Sequence, residues 1–442
     1  MKRFILEQSN DEFYTSHSGL ALVGACINHY SDLGRTLGRV GKGSDHITEI
    51  DIIRSYLGLL CLGKSDYQAI TAKRDDTYFK QALGIDRIPS AERLRQRLDE
   101  AGAALIPVIV KGAGTMLKRL NVAISGYEKG PVPLDIDVFP QDNSNTSKEG
   151  VSRTYKQFEG YAPIAAYLGM EGWCLEVELR PGSQHSQDGF VVFLHRVIKS
   201  AQVLVEREIL VRLDAAHDAI ETLVALEEAN RVHYIVKWNP RRNNVSTWRN
   251  RVFTEGKVIQ TRPGERVGIL VMQERKEVDK KTYTFKRIVR VTEQTMDKHG
   301  QMLLAPQITL EGWWTDLELS PEKVMALYRD HATSEQFHSE FKTDLDLERL
   351  PSGKFATNAL VMVLGAFAYN VLRVIGQLGL LGQHTPIRHP AKRRRIKTVI
   401  QELVYLAARL ISTGRRLKLR FSRHCPAFAA FTAVYSRLLP AQ

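Results

Sequence analysis

The order of strand-like and helix-like segments between residues 130 and 238 constrains the fold of this chain most. Residues 132–139, 161–169 and 172–180 are rich in β-branched, aromatic and apolar side chains and are bounded by Gly and Pro, which predicts three strands. The next segments predict an alternation of a helix at 189–204, a strand at 208–213, a helix at 217–230 and a strand at 232–238. Parallel strands need helical crossovers between them. The order βββαβαβ therefore predicts a mixed sheet with helices on both faces.

This order is that of a ribonuclease-H-like core, and the flanking segments complete the prediction of an α/β fold. Apolar residues spaced by three and four predict a helical domain at 1–125, ahead of the first part of the core at 126–238. Residues 239–310 alternate apolar and charged side chains, which predicts an antiparallel, β-rich insertion without helices. The remainder of the core is predicted at 311–380, and a basic helical region is predicted at 381–442.

Acidic residues stand where two of the predicted strands end. Asp135 and Asp137 lie near the end of the first strand, and the period of two puts both on one side of it, so either could line a site. Asp214 follows the strand at 208–213, and Asp218 is its competitor one helical turn later. Acids at strand ends also serve as turn or cap residues, so spacing alone leaves both choices open.

A third acid lies on a helix predicted at about 321–345. At about 100° per residue, Tyr328, His331, Glu335 and Lys342 fall on one face of this helix. Two strand-end aspartates and one helical glutamate would offer hard oxygen ligands for Mg²⁺, with Mn²⁺ as a substitute. Two such cations can activate a nucleophilic oxygen and stabilise a departing one during phosphodiester cleavage. The set predicts nuclease or strand-transfer chemistry.

The charge balance favours a polyanionic partner or an acidic membrane surface. The chain has 62 Lys and Arg against 49 Asp and Glu, a net charge of +13, and a pI near 9.5. Residues 388–423 contain twelve Lys or Arg and one acid, Glu402, which predicts contacts with backbone phosphates. Arg93 and Arg97 lie one helical turn apart and fit either phosphate contact or a solvated face. The densest basic run comprises Lys392, Arg393, Arg394 and Arg395.

Other classes of function find little support in the sequence. The four cysteines are scattered, which argues against a zinc ribbon or a disulfide framework and favours a reducing cytoplasm. No apolar signal segment follows Met1. The apolar stretch 355–372 is long enough to span a membrane, but its amides favour a buried helix and no membrane partner. Residues 38–43 are rich in Gly but lack the order GxxxxGK[ST] and a preceding strand, so no nucleotide cofactor is expected.

A helical zinc site is a further alternative. His331, Glu335 and His338 are spaced at i, i+4 and i+7 and could present ligands on one face. The sequence shows no second ExxH helix that would complete such a site, so the magnesium reading is preferred.

Several motifs together resemble the bacterial insertion-sequence transposases of the DDE class. The similarity is greatest to the insertion-sequence family numbered 1380, whose nuclease domain is called transposase DDE group 1. The helix at 321–345 resembles the signature Y-x2-R-x3-E-x6-K, with His331 where arginine is expected. The remaining landmarks are Leu134-Asp135-Ile136-Asp137, Gly160-Tyr161-Ala162-Pro163, Arg180-Pro181-Gly182 and Arg212-Leu213-Asp214.

The resemblance implies a recombinase that cuts and joins DNA. Its helical N-terminal domain would bind terminal inverted repeats, and Asp137, Asp214 and Glu335 would hold the metal ions. Water would nick double-stranded DNA at the element end, and the freed 3′ hydroxyl would attack target DNA. Tyr328 and Lys342 would hold phosphates near the scissile bond. Joining two ends implies a homodimer or a larger synaptic assembly, on DNA in the cytoplasm. The alternatives are a nuclease on the same fold without joining activity and a DNA-binding regulator that has lost catalysis.

Overall fold

The computed structural model describes residues 4–9, 11–40, 47–128, 130–240, 243–297, 299–414 and 416–439. Residues 41–43 of the Gly-rich segment considered for nucleotide binding lie outside this part of the chain.

The N-terminal part begins with a short strand, β1 (Tyr14–Thr15), and continues as the predicted helices. Their starts follow local capping chemistry: the side chain of Ser90, for example, accepts a hydrogen bond from the backbone amide of Arg93 at 3.2 Å. A 3₁₀ turn, Tyr67–Lys73, and another, Gly102–Leu105, separate some of them. The helices are α1 (Leu20–Ala25, continued by a π-helical turn Cys26–Tyr30), α2 (Leu33–Val40), α3 (Glu49–Cys61), α4 (Thr77–Leu83), α5 (Ala91–Ala101) and α6 (Ile106–Arg119).

The predicted βββαβαβ order is found for the strands of the core sheet, β2, β6, β7, β8 and β9, and the helices between them. Strand β2 lies between β6 and β8, with β2, β8 and β9 parallel and β6 and β7 antiparallel at the edge. Three short strands after β2 form a separate small sheet in the order β3-β5-β4. The elements are β2 (Val132–Val138), β3 (Gln141–Asp142), β4 (Ser152–Arg153), β5 (Glu159–Tyr161), β6 (Ile164–Leu168), β7 (Trp173–Glu178), α7 (Phe190–Leu204), β8 (Ile209–Leu213), α8 (Ile220–Glu227) and β9 (Val232–Lys237).

The insertion is antiparallel as predicted, but it extends the core sheet to nine strands and includes a helix. Helix α9 (Val245–Glu255) was not predicted, because β-branched and aromatic residues dominate its sequence. Asn244 caps it, and the ring of Trp248 packs against Trp238. The strands are β10 (Lys257–Arg262), β11 (Glu265–Val278), β12 (Lys281–Met296) and β13 (Met302–Thr315), and β13 crosses the predicted boundary at 310 to pair with β9.

The helix predicted at 321–345 is present with three changes of pitch. It runs as α10 (Pro321–Arg329), a 3₁₀ turn Asp330–Ala332, α11 (Thr333–Ser339) and a π-helical turn Glu340–Asp344. Each change rotates the residues that follow it, so the ideal angle of 100° per residue does not hold along the whole segment.

Helix α12 (Phe355–Gly379) is the central helix of the fold. It packs against β7 on one side and against α3 and α6 on the other. Asn370 holds it to β7 with two hydrogen bonds to the backbone of Cys174. Two stretches, Ala91–Arg119 and α12, have the length and composition of a membrane span, and 39% and 94% of their most apolar windows are buried inside the protein. The burial of α12 agrees with the predicted core helix.

The basic C-terminal region is only partly helical, which corrects the prediction. Helix α13 (Ile396–Val399) and a π-helical turn Ile400–Val404 lead into a hairpin of β14 (Ala408–Thr413) and β15 (Arg416–Arg420), which joins β1 in a small sheet. Helix α14 (Phe428–Leu438) follows. Residues 416–420 alternate basic and apolar side chains with the strand period of two, and the high charge obscured this pattern.

Candidate active site

Two of the three predicted acids lie side by side at one edge of the sheet. Strands β2 and β8 are parallel neighbours, and Ile136 is opposite Leu213. Asp137 follows Ile136 within β2, and Asp214 is the first residue after β8. The two carboxylates therefore leave neighbouring strands, which lie about 4.8 Å apart in any sheet. The parallel register therefore brings together two acids that are 77 positions apart in the sequence.

Glu335 completes the set from the helical side. Helix α11 packs against β2, and Glu335 on α11 lines a cavity of about 820 Å³ that Asp137 and Asp214 also line. We call this the carboxylate cavity. Within the described residues, no three His, Cys, Asp or Glu side chains are close enough to hold a metal ion as they stand. The acids share a cavity without forming a closed ligand cage.

Asp137 and Asp214 place two acidic groups close together in a buried position. Burial and then the charge of Asp214 raise the pKa of Asp137 to about 7. Burial also raises the pKa of Asp214. Each carboxylate accepts a hydrogen bond from a nearby backbone amide: Asp137 from Val138 at 2.7 Å and Asp214 from Ala216 at 3.1 Å. A cation placed among these oxygens would relieve their repulsion, so the donor set fits a hard divalent ion.

Asp135 does not line the carboxylate cavity. It is buried and forms a bidentate ion pair with Arg212, with both N–O distances at 2.7 Å, because the two residues are directly opposite on β2 and β8. Its Oδ1 atom also bonds to Nδ1 of His331 at 2.8 Å. Arg212 in turn donates to the hydroxyl of Tyr127 and the carbonyl of Leu327. Asp135 therefore serves the packing of the sheet against α10.

Asp218, the alternative to Asp214, is also engaged elsewhere. Its carboxylate accepts from the indole of Trp314 at 2.9 Å and from the amide of Asn239 at 2.7 Å. These bonds tie the end of β8 to the start of the insertion, and they leave Asp214 as the acid that lines the carboxylate cavity.

His331 lies between the buried ion pair and the cavity. Burial opposes protonation, but the hydrogen bond and the charge of Asp135 outweigh it, so the pKa of His331 is raised. Its Nε2 atom is buried and bonds to no group within the described residues, and the ring lines the carboxylate cavity. An imidazole whose protonated form is favoured by Asp135 stands where the motif has arginine, although it lacks the guanidinium fork.

The other motif residues also border the site. Tyr328 lines the carboxylate cavity and packs edge-on against Trp313. The ammonium of Lys237 lies 5.6 Å from the ring centroid of Tyr328 and 4.1 Å from that of Trp313. Lys342 lines a second cavity of about 470 Å³, which we call the side cavity. Its ammonium donates to the carbonyl of Pro140 at 2.9 Å.

The zinc alternative finds no support in this geometry. His331 is bonded to Asp135, and the ring of His338 stacks on Phe139 with centroids 4.5 Å apart. Burial lowers the pKa of His338 to about 3, so this ring is neutral. The two histidines belong to the packing of the helix on β2.

The predicted phosphate-binding cations fall into two groups. Arg97 is buried and paired with Glu49, whereas Arg93 lines an open cleft of about 630 Å³. In the basic run, Lys392 is exposed, but three guanidinium groups bond to the protein itself. Their partners are Met170 and Gln336 for Arg393, Leu380 and His389 for Arg394, and Asp344 for Arg395.

Several cavity residues were missed from the sequence. Tyr155 and Lys156 line both cavities, and Lys237 and Arg290 line the carboxylate cavity. Tyr155 and Lys156 lie in a loop that carries no motif of its own. Their one signal is their position just before the landmark Gly160-Tyr161-Ala162-Pro163.

Comparison with known proteins places the chain in a family. Among curated proteins, none matches it. Among solved structures, a cryo-EM structure of a piggyBac transposase synaptic complex with hairpin DNA is similar, with a TM-score of 0.41 and 9% identity, over 89% of this chain and 80% of that chain. A family model described as transposase DDE domain group 1 matches residues 12–442. The match confirms the DDE domain predicted from the motifs: the chain belongs to the transposases with a DDE domain of group 1.

Proposed function

We propose that this protein is a DNA transposase that cleaves the ends of an insertion sequence of the family numbered 1380 and transfers them into target DNA. The observation that carries the proposal is the convergence of Asp137, Asp214 and Glu335 on one cavity. Membership of the DDE family supports the same chemistry. The sheet order β7-β6-β2-β8-β9 supports a ribonuclease-H-like core as the scaffold.

The donor set fits Mg²⁺, with Mn²⁺ as a substitute. Mg²⁺ needs only a few protein carboxylates, because water and substrate phosphates complete its shell, so a loose set of three acids suffices. Asp137, Asp214 and Glu335 would hold the ions. When bound, such ions supply a nucleophile at neutral pH and stabilise the departing oxygen.

Cations and hydroxyl groups around the acids would hold the DNA. His331 would face a phosphate with the part of its ring that lines the carboxylate cavity, while Asp135 fixes the orientation of the ring. Lys342 on the side cavity and Tyr328 on the carboxylate cavity would contact the strand on either side of the acids. Lys392, which is exposed in the basic C-terminal region, would contribute a further phosphate contact. Because two ends must be joined, we expect a homodimer or larger assembly on chromosomal DNA in the cytoplasm.

The cleft that contains Arg93 is the best candidate for duplex backbone contact in the N-terminal domain. Arg74, Lys80 and Arg87 line it as well, beside the first turn of α5. We predict that Arg93→Gln reduces the salt dependence of binding to duplex DNA by about one unit in log Kd against log salt. Arg97→Gln is the matched control: it should lower the melting temperature, because Glu49 loses its partner, and leave that slope unchanged.

Fluorescence anisotropy at several salt concentrations measures the slope, and differential scanning fluorimetry measures stability. A wild-type slope for Arg93→Gln, or a reduced slope for Arg97→Gln, would contradict the assignment.

The function is tested with duplexes from the DNA that flanks this gene, incubated with the full chain, Mg²⁺ and a target plasmid. A transposase produces cuts at the element ends and joined end-to-plasmid products. A nuclease without joining activity produces cuts alone. A regulator that has lost catalysis binds the ends and leaves them intact. Absence of any cut with Mg²⁺ or Mn²⁺ would refute the proposal.

A further inference from the structure

A tight turn that contains none of the three motif acids lines the same cavities as they do. The amide of Gln157 donates to the carbonyl of Thr154 at 2.9 Å, and the amide of Thr154 donates to the carbonyl of Phe158 at 2.9 Å. Thr154 is buried and its hydroxyl donates to the same carbonyl of Phe158. These bonds fix a four-residue turn between β4 and β5, with Tyr155 and Lys156 at its two central positions.

This turn stands at the junction of the two cavities. Four residues line both the carboxylate cavity and the side cavity, and they are Asp137, Glu335, Tyr155 and Lys156. The first two are acids of the candidate metal site. A strand that runs from one cavity into the other across these acids must therefore pass the side chains of the turn.

The side chains of the turn are exposed to solvent. Tyr155 is 59% exposed, which is unusual for so large a ring and leaves a face available for stacking. Burial and then the charges of Asp137, Asp214 and Glu335 raise the pKa of its hydroxyl to about 12, so the ring lies within the field of all three acids. Lys156 is exposed and forms no ion pair with any described residue.

We propose that Tyr155 and Lys156 form a clamp that holds the DNA strand over the three acids, with the ring against a nucleotide and the ammonium on a phosphate. The clamp rests on the proposed function, because it acts on the same strand as the cleavage reaction. Proteins bind single-stranded segments of DNA without sequence preference through aromatic rings, which stack on bases, and through cations, which contact phosphates. The clamp positions the strand, whereas the acids carry the chemistry.

The test uses the full chain and a flanking-DNA duplex with 2-aminopurine at the nucleotide next to the cut. Tyr155→Ala should cleave at least about tenfold more slowly in single turnover and lose the quenching of 2-aminopurine that stacking causes. Tyr155→Phe should retain both, because the ring is sufficient. Lys156→Gln should reduce the salt slope of binding by about one unit. Tyr435→Ala, an exposed tyrosine that lines neither cavity, is the matched control.

The possible outcomes distinguish failure of the clamp proposal from failure of the proposed function. Wild-type cleavage and wild-type quenching in Tyr155→Ala, or an unchanged salt slope in Lys156→Gln, would overturn the clamp while the wild-type protein still cuts DNA. A wild-type protein that cuts no DNA would instead overturn the proposed function. Melting temperatures within about 1 °C of wild type would show that the variants fold, as expected for exposed side chains.

Discussion

Replacing Asp137, Asp214 or Glu335 by Ala is expected to reduce cleavage of end DNA by at least about 1,000-fold, because catalytic groups that act as one unit fail together. The affinity of the same variants for duplex DNA should not fall. The three carboxylates repel phosphates when no metal is present, so each variant should bind the duplex in EDTA as tightly as the wild type or more tightly. Single-turnover cleavage and anisotropy measure the two effects on the same preparations.

Asp218→Asn is the matched control for this series. Asp218 follows the same strand as Asp214, but it bonds to Trp314 and Asn239 and does not line the carboxylate cavity. Its variant should cleave at a rate near that of the wild type. Cleavage that persists in one of the three alanine variants would remove that acid from the site, and loss of cleavage in Asp218→Asn would reopen the choice between Asp214 and Asp218.

The convergence of the acids was predictable from the sequence because it follows from a general property of sheets. Parallel strands end at the same edge of a sheet, so Asp137 and Asp214 had to meet if β2 and β8 were parallel neighbours. The choice between Asp135 and Asp137 did not follow from alternation, since both share one side of the strand. It depends on the register, which places Arg212 opposite Asp135 and leaves Asp137 opposite no cation.

The roles of the basic residues were harder to predict, because charge in a sequence does not reveal its partner. Arg395 looked like part of a phosphate-binding run, yet it pairs with Asp344, 51 positions earlier. Arg97 pairs in the same way with Glu49. Long-range ion pairs of this kind depend on tertiary packing. The clamp residue Tyr155 was missed for a related reason: a turn becomes part of a site only through the elements that it faces.

The two aspartates of β2 should have opposite effects on stability, which is the sharpest test of their assigned roles. Asp135→Asn should destabilise the protein by about 3–5 kcal/mol, because it leaves Arg212 buried without its counterion. For a chain of 442 residues this corresponds to a fall in the melting temperature of roughly 3–5 °C. Adding Arg212→Met should restore much of the loss, since an apolar pair of similar volume often replaces a buried ion pair without penalty.

Asp137→Asn should instead stabilise the metal-free protein. The pKa of Asp137 is raised to about 7 in the folded protein from 3.8, so the folded state binds more protons between these values, and stability falls as pH rises through them. The loss of folding stability caused by ionised Asp137 is complete above about pH 7 and absent below about pH 4. In EDTA, Asp137→Asn should therefore raise the melting temperature by about 2–5 °C at pH 8 and by less at pH 5. Loss of stability in Asp137→Asn at pH 8, or none in Asp135→Asn, would reverse the assignment of the buried anchor and the metal ligand. Asp135 and Asp137 lie on the same strand. Only Asp137 destabilises the fold when no cation is bound, so Asp137 is the acid suited to bind a metal ion.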